Sequence, residues 1–116
     1  MKGLAVTAIS VLAGLPSQAV AVADGPDFLR VVGVREGSAL SLRDGPGLDA
    51  GRIALMPAGT DGLRNLGCRG GPSLVEWQAM TVRERAAARR QRWCNVEFRG
   101  LKGWAAGWYL GEGSAP

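Results

Sequence analysis

Gly100-Leu-Lys-Gly-Trp-Ala-Ala-Gly-Trp-Tyr-Leu110 sets three glycine bends among three aromatic residues. Gly100 and Gly103 bracket a turn into Trp104-Ala105-Ala106, and Gly107 breaks that run before Trp108-Tyr109-Leu110. Glycine at such points lets a strand bend tightly at the rim of a sheet or barrel. The aromatic residues between the bends must then find a core or a groove.

Just upstream, Trp93 to Phe98 alternates strictly. Cys94, Val96 and Phe98 share one face, and Trp93, Asn95 and Glu97 share the other, the pattern of a half-buried strand. Further back, four short apolar runs are separated by turn chemistry. Phe28 to Val34 is β-branched and compact. Ala39 to Arg43 places Leu40 and Leu42 on one face before Asp44-Gly45-Pro46-Gly47 stops it. Arg52 to Leu55 and Leu63 to Leu66 follow, the second running into Cys68. Short strands with turns about every ten residues predict a small all-β barrel or sandwich.

Between Cys68 and Trp93 the period changes. Ser73-Leu-Val-Glu76 and Thr81-Val-Arg-Glu84 both fit the capping box that starts a helix. They predict a short helix over 74–80 and a longer one over 82–92, where alanines and arginines favour helix and no Gly or Pro intervenes. Arg85, Arg89 and Arg92 then fall on one helical face. The helices form an insertion, about residues 70–92, whose two feet lie next to Cys68 and Cys94.

The 116-residue chain opens with an export-like segment. Lys2 is a minimal basic region, Leu4 to Leu15 an apolar run, and Ala21-Val22-Ala23 a small-x-small cleavage site. Residues 1–23 are thus expected to be a signal peptide, its apolar run being short for a ~30 Å membrane core. A retained membrane anchor is the competing reading. The mature chain is expected in the periplasm or outside the cell, as one domain over 24–110 with a flexible tail at 111–116. In that compartment the two cysteines of the chain predict a Cys68–Cys94 disulfide, against the alternative of two buried thiols.

Charge is local. Arg83, Arg85, Arg89, Arg90 and Arg92 face only Glu84, whereas the rest of the mature chain holds 8 basic and 9 acidic residues. A near-neutral domain with one basic element speaks against a nucleic-acid face spread over the fold. The arginines are either a solvated helix face or the docking face for an acidic partner. The chain has no histidine, the commonest general base and transition-metal ligand. No nucleophile elbow or paired carboxylate site is evident, so neither catalysis, a cofactor nor a metal is expected.

The order of three short motifs resembles bacterial SH3 domains. Leu40-Ser-Leu-Arg-Asp-Gly-Pro-Gly47 is similar to the family's L-N-V-R-x-G-P-S, Ile53 to Thr60 to its apolar-Pro-x-Gly-Thr turn, and Gly103 to Leu110 to its closing G-W-V-x-x-x-Y-L. Ser41, Gly47 and Ala105 depart from the usual Asn, Ser and Val. Ala106 stands where proline-peptide-binding SH3 domains carry a ligand-contacting proline. The likeness covers about 28–66 and 93–110, and the helical insertion has no counterpart in a minimal domain. It implies a mainly β fold, a five-stranded SH3-like barrel, with peptidoglycan or an envelope protein as partner.

Four tryptophans exceed what so small a core needs, and Trp and Tyr favour binding surfaces. Trp93, Trp108 and Tyr109 are the candidate ligand-binding residues. Trp93 either lines a groove or lies beneath the helices, Trp108 and Tyr109 serve either the groove or the barrel edge, and Trp104 is expected in the core. Arg85, Arg89 and Arg92 are the alternative partner face. The protein is expected to act as a monomer without stable membrane insertion after cleavage.

Overall fold

The alternation seen in the sequence becomes a single antiparallel sheet. A computed structural model describes residues 25–116; the expected export segment lies outside them. Seven strands form in chain order: β1 (Phe28–Val31), β2 (Ala39–Arg43), β3 (Arg52–Pro57), β4 (Leu63–Arg69), β5 (Trp93–Phe98), β6 (Leu101–Ala106) and β7 (Leu110–Glu112). Their order across the sheet is β3-β2-β6-β5-β4-β1-β7, and the sheet curls into a half-barrel. The mainly β expectation holds, but the strands number seven, not five.

The seventh strand has a local cause. The Trp104–Leu110 stretch is divided by a 3-10 turn at Gly107–Tyr109, so Leu110 starts a new strand that pairs with Val31 of β1. The residues expected to fray are thereby held in part: Gly113 donates its N–H to Phe28 O at 2.9 Å, and Ser114 donates to Asp61 Oδ1 at 2.8 Å. The hairpin bend also differs. Phe98 pairs with Leu101, leaving Arg99 and Gly100, both at positive φ (51° and 84°), as a two-residue turn. Gly103 lies within β6, not in the turn.

Inward positions of the strands make one core. Leu29, Val31, Leu40, Leu42, Met56, Leu63, Cys94, Val96, Phe98 and Ala105 are buried together, with Leu42, Met56 and Val96 fully so. Each fully buried aliphatic side chain contributes about 1.5–3 kcal/mol. At the β4–β5 pairing, Asn65 lies opposite Val96 and Gly67 opposite Asn95, so Leu66 is an extra residue. Asn65 Oδ1 closes this bulge by accepting from Gly67 N–H at 2.9 Å.

Beyond the bulge, Cys68 and Cys94 are directly opposed and joined by a disulfide. The bond closes a 26-residue separation, for which loop entropy gives roughly 3–4 kcal/mol. It ties together the feet of two helices, α1 (Leu74–Gln78) and α2 (Val82–Ala88). Both capping boxes form. Ser73 Oγ and Thr81 Oγ1 each accept the N3 amide at 3.1 Å, and Glu76 and Glu84 each accept the cap amide at 2.8 Å. The second helix is shorter than the 82–92 expectation, tightening at Arg89–Gln91 into a 3-10 turn that brings the chain back to β5. Among the described residues no helix is long and apolar enough to cross a membrane.

Candidate functional site

Where the insertion rejoins the barrel, three walls flank an open groove of about 440 Å³. One wall is the β4–α1 connection and α1, presenting Pro72, Leu74 and Trp77. A second is the end of α2 and its 3-10 turn, presenting Ala88, Arg89 and Arg92. The barrel supplies the third with Val32, Trp108 and Leu110. The volume is that of a small-ligand site, and an apolar lining with a few polar groups is the usual composition.

Close backbone approach fixes the junction. Gly107 donates its N–H to Arg92 O at 2.8 Å. A Cβ on Gly107 would sit 2.9 Å from both Arg92 Cγ and Arg92 O, so the Arg92 stem rests on a position that tolerates no side chain. At the other foot, a Cβ on Gly70 would overlap the Gln91 carbonyl. The arginine wall is thus held against the barrel by contacts at its base.

The aromatic candidates part company. Trp108 is half-buried and lines the groove. Trp93 does not line it: it is 8% exposed and joins the core cluster, with its ring edge-on to Trp108 at 5.5 Å and 87°. Strand alternation does set Trp93 opposite Cys94, but Trp108 packs against that face. Tyr109 is 37% exposed and also outside the groove, its ring 3.6 Å from where a Gly33 Cβ would stand. Trp104 is half-buried against the core, with the Arg69 guanidinium 4.7 Å from its ring centre.

The arginine face is likewise divided. Arg85 turns to α1, donating through Nε to Trp77 O at 2.9 Å and through Nη2 to Gln78 O at 3.3 Å, with its guanidinium 5.2 Å from the Trp77 ring centre. It adds a second donor to Trp77 O, which already accepts Met80 N–H at 3.1 Å, and reaches the Gln78 carbonyl at the helix end. Arg89 and Arg92 remain exposed at the groove. The Glu76 carboxyl is held below its ordinary range, first by the Ser73 backbone N–H and then by the Ser73 hydroxyl.

Sequence reasoning missed Trp77, Leu74, Pro72, Val32 and Leu110 as groove residues. A signal existed for two of them, since Leu74 and Trp77 are spaced i, i+3 on a capped helix and share a face. The others come from tertiary assembly. Among the described residues no group of three or more His, Cys, Asp or Glu side chains gathers. No family model, curated protein or solved structure matches the chain.

Proposed function

We propose that this protein is a non-catalytic binding module of SH3-like kind, exported to the cell envelope, that holds peptidoglycan or an envelope peptide between its barrel and its helical insertion. The groove walled by Trp77 and Trp108 is the observation that carries this reading. Its apolar faces suit the body of a ligand, and its two arginines orient a polar group. The SH3-like part rests on the motif order at Leu40–Gly47, Ile53–Thr60 and Gly103–Leu110. Trp77 and Trp108 are the aromatic residues that would contact the ligand.

The test is retention of the purified chain on isolated peptidoglycan sacculi. Wild type is expected to bind, with Leu74→Ser and Trp108→Ala both retained at least about tenfold less, a loss of ~1.4 kcal/mol. Leu74 is 70% exposed, so its replacement separates lost contact from lost folding. Retention unchanged in both variants would remove the groove as the site, and no retention of wild type would remove wall binding.

A second reading has its own observation. Leu74, Val75 and Val82 are 70%, 75% and 84% exposed, apolar side chains left uncovered on an arginine-bearing insertion, which suits a protein–protein adaptor or inhibitor. Under that reading Val75→Ser with Val82→Ser abolishes partner capture and leaves groove binding unchanged.

A further inference from the structure

We infer that the occupant of this groove is an acidic peptide: a short extended segment whose carboxylate meets Arg89 and Arg92 while its apolar residues lie against Trp77, Trp108 and Leu74. This rests on the binding-module reading and narrows its ligand.

Charge complementarity is the first ground. The lining contains two arginines and no acidic residue. The nearby carboxylates of the insertion are engaged elsewhere: Glu76 Oε1 accepts Ser73 N–H and Glu84 Oε1 accepts Thr81 N–H, both at 2.8 Å. They are committed to starting the helices. Arg85 is committed too, to the carbonyls of Trp77 and Gln78. Arg89 and Arg92 are thus the insertion's cations that face the groove.

Preorganisation is the second ground. Arg92 is clamped through its backbone to Gly107 and its stem lies over the Gly107 Cα. Arg92 N–H in turn reaches back to Arg89 O at 3.4 Å across the 3-10 turn. The Arg92 stem therefore starts from a constrained base, which lowers the entropy lost when its guanidinium grips a planar carboxylate in bidentate fashion.

The rest of the lining selects a peptide among anions. A phosphate polymer or a lipid surface calls for a broad basic face. Outside the 83–92 segment the mature chain is one charge negative by count. A leucine, a proline and two indoles beside two arginines fit a ligand that alternates apolar and acidic side chains.

The experiment is an NMR titration of the ¹⁵N-labelled chain with two acetylated, amidated hexapeptides. Both have the same leucine and proline content; one carries two glutamates and the other two glutamines. The acidic peptide is expected to bind at least about tenfold more tightly in 0.1 M salt, where the Debye length is ~10 Å, and to lose that advantage in 1 M salt, where it is ~3 Å. The amides of Gly71 and Gly107 and the indoles of Trp77 and Trp108 are expected to move. The double variant R89Q/R92Q, its fold checked by its melting curve, should bind the acidic peptide no more tightly than the neutral one.

Equal affinities, or a preference that survives R89Q/R92Q, would overturn the inference. So would tighter binding of phosphatidylglycerol vesicles or duplex DNA through the same signals. Sacculi retained while neither peptide binds would overturn the acidic-peptide assignment and leave the wall-binding module standing. Failure of sacculi and both peptides together would overturn both.

Discussion

At the scale of single residues, Gly107 is the position on which the site turns. It lies where the barrel's 3-10 turn meets the returning insertion, and its missing side chain is replaced by the stem of Arg92. Gly107→Ala is expected to destabilise the fold by about 1–3 kcal/mol, the usual cost of overpacking, and to weaken groove binding as Arg92 is displaced. Chemical denaturation and the peptide titration check the two effects separately. Asp61 is a second such residue. Its carboxylate accepts Ser114 N–H and Gly62 N–H, in that order of influence, and these hold its pKa below the ordinary 3.8. The folded-state pKa being depressed, the tail clasp contributes above the unfolded carboxylate value and is lost as pH falls through the folded one. The Ser114 amide signal should therefore shift on acidification below about pH 4, and in Asp61→Asn it should lack that titration. A pH-independent Ser114 amide in wild type would contradict the clasp.

At the scale of elements, the insertion is only as firm as its caps. Neither helix exceeds seven residues, a length marginal in water without outside support. Thr81→Ala removes the side-chain half of one capping box and is expected to cost about 1 kcal/mol. Hydrogen exchange should show α2 amides losing protection while β5 and β6 keep theirs. Uniform loss across the sheet would mean that the insertion and barrel unfold as one unit. Much of this scale was legible beforehand. Leu40 with Leu42, and Cys94 with Val96 and Phe98, announced their buried faces through period-two alternation, and Ser73-x-x-Glu76 announced a helix start. Leu110–Glu112 gave no comparable sign, because three residues containing a glycine become a strand only when β1 lies alongside. The change to a 3-10 turn at Arg89 was hidden for a similar reason: local propensity favoured continuation, while the route back to Trp93 required a tighter bend. Trp93 shows the limit most plainly. Alternation fixed which face of the strand it occupies, but Trp108, fifteen positions later, decided that the face would be covered.

At the scale of the whole molecule, a seven-stranded half-barrel carries a helical arm whose feet are joined by Cys68 and Cys94. The groove draws on Val32, residues 70–77, residues 88–92 and residues 107–110, so it exists only when arm and barrel meet. Reduction of the disulfide is accordingly expected to lower stability by roughly 3–4 kcal/mol in the loop-entropy account. It should also weaken ligand binding under conditions where the sheet remains folded. Unchanged melting after reduction would show that the backbone contacts at Gly70 and Gly107 suffice to hold the arm.

The most direct test of the groove uses the four indole N–H signals of the chain, assigned individually and followed as solubilised peptidoglycan fragments or the acidic peptide are added. The groove predicts that Trp77 and Trp108 move most, with Trp93 responding weakly through its edge contact and Trp104 remaining still beneath Arg69. Movement centred on Trp104 with Trp77 silent would contradict it.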